Sequence, residues 1–200
     1  MHFPPLLAAS LLWVCSVLGI RAADSIQTAG DILQFVLPAA AGGLTLAYPG
    51  SEGTGKVDDF LGRAEDGLGL GWRDTQGTVQ FAESVGLTLG TTYLLKYAVD
   101  ERRPNGGSQS FPSGHASISF SAAEFMRKRY GWEYGIPAYG LASFVAYSRV
   151  EAREHYPHDV IAGAAIGILS SYIFTTPYRG WTLQLDADGK YFGLRLSRSF

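Results

Sequence analysis

Four stretches with helical periodicity, joined by segments rich in Gly and Pro, constrain the fold of this chain more than any other feature of its sequence. The periodic pattern starts at Thr78 and is interrupted by polar sequence between Asp100 and Phe111. Small residues fill the last stretch, which favours close packing between helices. The pattern predicts an all-α helical bundle with helices at 78–99, 114–129, 136–150 (with Pro137 in its first turn) and 157–174.

The C-terminal residues follow a different period. Trp181, Leu183 and Leu185 alternate with polar residues, the Asp188-Gly189 pair is a turn signal, and apolar residues alternate again after it. This pattern predicts a short β-hairpin beside the bundle. We therefore divide the 200-residue chain into an N-terminal segment at 1–23, a helical domain at 24–178 and a hairpin at 179–200.

The N-terminal segment resembles an export signal. An apolar run at 6–20 is followed by Ala22 and Ala23, small residues that suit a cleavage point. No Lys or Arg precedes the run, so an uncleaved N-terminal anchor is the alternative. Cys15 lies within the run and is the chain's one cysteine, so the mature chain would depend on no disulfide. We expect an exported, periplasmic protein.

Charge and hydropathy exclude some classes of protein. A net charge of -2 is not that of a nucleic-acid-binding protein. The mean hydropathy of +0.06 and the short apolar runs at 136–147 and 160–174 favour a soluble bundle over a polytopic membrane protein. Contact with a membrane surface stays open as an alternative, and the oligomeric state is not predicted.

Three short clusters of reactive residues lie between the predicted helices. The clusters are Lys96 with Arg103-Pro104, then Pro112-Ser113-Gly114-His115, and then Ser148-Arg149 with His155 and Asp159. Their three cations suit a phosphoryl group in transfer, because such a group spreads negative charge over its oxygens and fixed cations stabilise that charge. Arg offers a planar fork that matches phosphate, whereas Lys acts as a point charge.

The second cluster stands where a loop enters a predicted helix. Free backbone N–H groups at such a helix start favour an anion, and Gly114 lets the backbone approach it closely. The Ser113 hydroxyl can cap the helix, donate to phosphate, or do both. His115 opens the same helix and is a candidate general acid.

The third cluster contains a candidate nucleophile. His155 and Asp159 are four residues apart, which on a helix would place both on one face. The carboxylate can keep one ring nitrogen protonated, leaving the lone pair of the other to attack phosphorus. His158 beside them is interpreted as a surface residue. The surrounding cations would repel a divalent metal ion, so we expect neither a metal nor another cofactor.

Together the clusters resemble the three-part signature of the type 2 phosphatidic acid phosphatase and vanadium haloperoxidase superfamily. All eleven fixed positions of that signature are present in order, between Lys96 and Asp159. The resemblance implies a helical phosphatase in which His155 attacks, Asp159 orients it and His115 protonates the leaving group. It also implies a phosphate site made by Lys96, Arg103, Ser113, Gly114 and Arg149.

The function expected from this resemblance is metal-independent hydrolysis of phosphate monoesters or lipid phosphates through a phosphohistidine. Two alternatives stay open. A vanadate-dependent haloperoxidase would use the same residues, because vanadate mimics phosphate. A non-catalytic, envelope-associated phosphate-binding protein would also keep the anion site. The sequence does not distinguish a phospholipid, a polyprenyl diphosphate, a lipid A phosphate and a soluble ester as substrate.

Overall fold

The computed structural model describes residues 22–48, 74–179, 181–187 and 192–198 of the chain. Residues 1–21 of the predicted signal or anchor at 1–23, with Cys15, lie outside the described residues, and so does the predicted Asp188-Gly189 turn. Within the described part, helices account for most residues and two strands follow them. These elements are α1 (Ala22–Ala47), α2 (Thr75–Val99), α3 (Gly114–Tyr130), α4 (Trp132–Glu151), α5 (Pro157–Phe174), β1 (Trp181–Ala187) and β2 (Phe192–Arg198).

Helix α3 is the centre of the bundle and contacts each of the other four helices. Its sequence is not strongly apolar, and buried serines on it pair with hydroxyls of its neighbours. Ser117 Oγ lies 3.0 Å from Thr92 Oγ1, and Ser121 Oγ lies 2.9 Å from Ser171 Oγ. These bonds satisfy polar groups that would otherwise be costly to bury.

Two glycines on α5 let that helix approach α3 very closely. A Cβ on Gly163 would lie 2.4 Å from the carbonyl oxygen of Ser113, and one on Gly167 would lie 2.1 Å from that of Ser117. Both distances are far inside van der Waals contact, so no side chain fits. This approach fixes the start of α3 against the start of α5, where two of the three sequence clusters lie.

A buried ion pair stabilises the opposite end of the bundle. Arg129 Nε donates to Asp74 Oδ2 at 2.7 Å, and both side chains are fully buried. Asp74 also caps α2 by accepting from the Gly77 N–H at 3.0 Å, and Tyr130 donates its hydroxyl to the same carboxylate at 2.9 Å. Because a buried charge is stable only when it is paired, this cluster ties the start of α2 to the end of α3.

The predicted fold is confirmed: the described residues form an all-α bundle, and β1 and β2 pair antiparallel with Trp181 opposite Arg198. The division into segments at residues 23 and 178 stays a prediction. Helix α1 was not among the predicted helices, and the predicted start of α4 was wrong. Helix α4 begins at Trp132, directly after Gly131 ends α3 with a φ of 104°, so Pro137 lies inside the helix and not in its first turn.

Many large apolar side chains on the outside of the bundle are exposed. Leu94 and Tyr97 on α2 are 70% and 72% exposed, and Ile161 on α5 is 70% exposed. Among the described residues, the segments Asp24–Ala47 and Pro157–Phe174 are long and apolar enough to cross a membrane. Length and composition alone are weak evidence for a span, because core helices and signal sequences pass the same test.

Candidate active site

One cavity of about 530 Å³ opens between α1, α2 and α3, and most of the predicted site residues line it. Lys96 at the end of α2, Arg103 in the following loop and His155 before α5 all reach it. Gly114 and His115 contribute the start of α3. The structure therefore brings together Lys96, Arg103, Gly114, His115 and His155, while Ser113, Arg149 and Asp159 stand next to residues of this set.

Lys96 is buried and its ammonium is held in place by the loop that follows α2. Its Nζ donates to the carbonyl of Gln109 at 2.7 Å. Burial, together with the neighbouring charge of Arg103, lowers the pKa of Lys96 to about 8, and the Asp159 carboxylate opposes this shift. Lys96 therefore stays mostly cationic at neutral pH, with its charge facing the cavity.

Two arginines carry the remaining positive charge of the site, and both are paired with carboxylates. The Arg103 guanidinium forms an ion pair with Glu154 through Nη1 and donates from Nε to the Ser108 carbonyl at 3.0 Å. Arg149 is buried, and its Nη1 donates to Asp31 Oδ1 at 2.5 Å. These contacts fix the orientation of both guanidinium groups before any anion binds.

The start of α3 has the predicted N-cap. Ser113 is fully buried, and its Oγ accepts from the Ala116 N–H at 3.5 Å, the outer limit of a hydrogen bond. Its own N–H donates to the Asp159 carbonyl at 3.0 Å. A Cβ on Gly114 would meet only ordinary contacts with Lys96 and Thr92, at 3.9 Å, so the space above this glycine opens toward the lysine.

His155 and Asp159 come together, although not by sharing one face of a helix as predicted. Helix α5 begins at Pro157, because proline lacks an N–H and disfavours helical backbone in the residue before it. His155 therefore precedes the helix. Asp159 Oδ2 caps that helix by accepting from the Tyr156 N–H at 2.9 Å, and the same oxygen lies 3.5 Å from His155 Nδ1.

The surroundings of His155 keep its imidazole neutral. The side chain is buried, and burial is the largest cause that lowers its pKa to about 4, followed by the charges of Lys96 and Arg103. Its Nδ1 has no hydrogen-bond partner closer than the Asp159 contact, which is long for a hydrogen bond. Contacts of this kind often shorten when substrate binds.

His115 is the second imidazole at the cavity, and its surroundings are mixed in charge. Its Nε2 lies 3.1 Å from Asp31 Oδ1. Burial and the charge of Arg149 lower its pKa below the ordinary value of 6.5, while Asp31 opposes that shift. Two carboxylates that the sequence analysis did not single out thus contact site residues: Asp31 on α1, and Glu154 in the spacer of the third cluster. Neither is a fixed position of the three-part signature.

One group of side chains has the composition of a metal site. Ligand atoms of Glu101, His158 and Asp159 lie within 4.8 Å of one another. His158 Nε2 lies 3.2 Å from Glu101 Oε1 and 3.1 Å from Asp159 Oδ1, so the imidazole bridges the two carboxylates. These contacts account for the grouping of the three side chains without an ion.

Comparison with known proteins identifies the family. The model of the PAP2 superfamily matches residues 106–182. The lipid A 4'-phosphatase of Helicobacter pylori is 32% identical over 156 residues, which cover 71% of this chain and 79% of that protein. The chain belongs to the PAP2 superfamily. The resemblance inferred from the three clusters is therefore confirmed, and the chain is a phosphatase, a hydrolase of phosphoric esters.

Further similarities within the PAP2 superfamily cover less of the chain or of the relative. The lipid A 1-phosphatase of Porphyromonas gingivalis is 35% identical over 100 residues, 46% of this chain and 22% of that protein. The crystal structure of Aquifex aeolicus LpxE covers 72% of this chain and 83% of that one, with 19% identity and a TM-score of 0.49. The matched PAP2 region contains the second and third clusters, whereas Lys96 and Arg103 precede it.

Proposed function

We propose that this chain removes a phosphate group from a lipid phosphate, without a metal ion, through a phosphohistidine on His155. The single observation that carries the proposal is the mixed lining of one cavity. Lys96, Arg103 and two imidazoles line it together with several apolar side chains. A lipid phosphate has the same two-part character. The apolar lining residues are Phe35, Pro38, Leu89, Tyr93 and Ile118.

The first step is attack by the neutral imidazole of His155. Because its pKa is lowered to about 4, the ring carries a free lone pair over most of the pH range. Asp159 faces Nδ1, so the proton stays on that nitrogen and Nε2 attacks phosphorus. The new N–P bond forms as the P–O bond to the lipid breaks, and Asp159 stabilises the positive charge that develops on the ring.

The cations bind the phosphate oxygens during this transfer. Lys96 and Arg103 lie at the cavity and Arg149 beside it, so the negative charge of the in-flight phosphoryl group meets fixed positive charges. We assign the Ser113 hydroxyl and the backbone N–H of Gly114 to the same anion, because both stand at the N-terminus of α3. Binding a phosphate here would draw Arg103 partly away from Glu154.

His115 completes the reaction as acid and then base. It gives its proton to the leaving lipid oxygen, and it later takes a proton from the water that cleaves the N–P bond. Burial and Arg149 lower its pKa, but a bound phosphate anion favours the protonated ring and raises that pKa. The substrate thus helps to charge the acid that it needs.

The choice of lipid is supported by the relatives. Two of them are named as lipid A phosphatases, acting at the 4' and the 1 position. We propose a lipid A phosphate as the substrate, and a membrane-associated protein on the exported side as its setting. The exposed apolar side chains of α2 and α5 and the two helices of membrane-spanning length support the membrane association.

The test is a phosphate-release screen on the purified full chain in detergent with EDTA present. The substrates are lipid A, phosphatidic acid, a polyprenyl diphosphate and a soluble aryl phosphate, with His155→Ala as the inactive control. We expect release from lipid A to be fastest, unaffected by EDTA and absent in the variant. Release only from the soluble ester, or release that requires an added metal, would contradict the proposal.

A further inference from the structure

We propose that Asp31 is a positioning residue that holds the acid His115 and the phosphate-binding Arg149 in one arrangement. This inference rests on the proposed function, and it assigns a role to a side chain outside all three sequence clusters. Asp31 lies on α1, whereas His115 lies on α3 and Arg149 on α4. One carboxylate thus connects three helices at the edge of the site.

The contacts are short and share one oxygen atom. Asp31 Oδ1 accepts from Arg149 Nη1 at 2.5 Å and lies 3.1 Å from His115 Nε2. An oxygen shared in this way fixes the distance between the guanidinium and the imidazole. The Asp31 side chain is 43% exposed, so the carboxylate also keeps contact with solvent.

Helix α1 supplies most of the partners that orient Arg149. Nη2 donates to the Gln27 carbonyl at 2.7 Å and Nη1 donates to Asp31, while Nε donates to Ser148 Oγ on α4 itself. Gly30 lies between the two α1 partners. A Cβ there would lie 1.9 Å from Ser148 Oγ and 2.6 Å from Arg149 Nη2, so this close approach of α1 to α4 requires glycine.

The charge of Asp31 also acts on His115. The charged groups that face this imidazole are Arg149 and Arg103, which disfavour its protonation, and Asp31, which favours it. Without the carboxylate, burial and two cations would act unopposed on the acid. Asp31 contacts His115 and Arg149, and we assign it no contact with the reacting atoms, so it acts through those two side chains.

The test compares Asp31→Asn with Asp24→Asn, the same substitution two turns earlier on α1 at an exposed position. We expect Asp31→Asn to shift the alkaline limb of the kcat/KM profile to lower pH by about one pH unit or more, and to leave the acid limb unchanged. At a pH above the alkaline limbs of both wild type and variant, this shift corresponds to a loss of about tenfold in kcat/KM. Asp31→Glu should keep the limb near its wild-type position, and Asp24→Asn should match wild type throughout.

The choice of substrate separates this role from a merely structural one. The profile is measured with a soluble alkyl phosphate, whose leaving oxygen needs a proton, and with p-nitrophenyl phosphate, whose leaving group is stable as an anion. The loss should be larger on the alkyl ester. An unchanged alkaline limb in Asp31→Asn, or equal losses on the two esters, overturns the proposal.

Two controls keep the outcome interpretable. Thermal unfolding shows whether each variant folds. If the Asp31→Asn variant does not fold, Asp31→Ser takes its place. Quenching the wild-type chain in alkaline SDS during turnover preserves an N–P bond and tests the phosphohistidine independently. A wild-type chain that forms no phosphoenzyme contradicts the proposed function, whereas a phosphoenzyme-forming chain with an unmoved limb contradicts only the role of Asp31.

Discussion

Replacing Gly30 with alanine should damage both stability and activity, because the new methyl group has no space. Its carbon would lie 1.9 Å from Ser148 Oγ and 2.8 Å from Ser148 Cβ, so rotation of the hydroxyl alone does not relieve the clash. Helix α1 or α4 must move by about 1 Å. That movement would also disturb Arg149, whose Nη2 would be 2.6 Å from the same carbon.

The expected magnitude combines three effects. Overpacking costs about 1–3 kcal/mol, and losing the bond between Arg149 Nε and Ser148 Oγ costs about 1.5–3 kcal/mol. Alanine returns about 1 kcal/mol through its higher helix propensity. We expect a net loss of about 1.5–5 kcal/mol in the free energy of unfolding, or about 3–20 °C in Tm. Displacing Arg149 by about 1 Å should lower kcat/KM by about 100-fold.

Gly43→Ala is the matched control. Gly43 lies on the same helix, and a Cβ there would meet nothing within 4 Å. This variant should be stabilised by up to about 1 kcal/mol through helix propensity and should keep full activity. Thermal unfolding by circular dichroism and phosphate release by the full chain check both variants. If Gly30→Ala and Gly43→Ala melted and turned over alike, the close approach of α1 to α4 would be refuted.

Two further predictions concern the buried ion pair and the pH profile. Arg129→Met should cost about 3–5 kcal/mol because it leaves the buried Asp74 without its cation, whereas Lys128→Met beside it should cost under about 1 kcal/mol; equal losses in thermal unfolding would contradict this. As pH increases, kcat/KM should rise near pH 4, where His155 loses its proton. It should then decrease again at a pH lower than 6.5, where His115 loses its proton. An optimum above pH 7 would contradict the assignment of His155 as the nucleophile and His115 as the acid.

The sequence predicted four of the five described helices and the site residues Lys96, Arg103, Gly114, His115 and His155 at the cavity, because periodic apolar spacing and a fixed motif are both local signals. The start of α4 was predicted wrongly because Pro137 was placed in its first turn. Gly131 ends the previous helix, and the longer helix that follows accommodates the proline inside it. His155 and Asp159 meet through the capping of α5, and the i, i+4 spacing alone suggested a helical face that Pro157 prevents.

Other parts of the site could not be predicted from sequence. Asp31 and Glu154 pair with Arg149 and Arg103 across 118 and 51 residues of chain. Such contacts depend on how the helices pack, and a single acidic residue on an apolar helix has no local signature. The requirement for glycine at position 30 could not be predicted either. It follows from the position of Ser148, which depends on how α1 and α4 pack.

The central claim is that phosphate passes through a covalent bond to His155. The most direct measurement is rapid quenching of the full chain during turnover of a ³²P-labelled substrate, followed by mapping of the labelled peptide. We predict an acid-labile, alkali-stable label on His155 that is absent from His155→Ala. A label on another residue, or an equal label in the His155→Ala variant, would contradict the account.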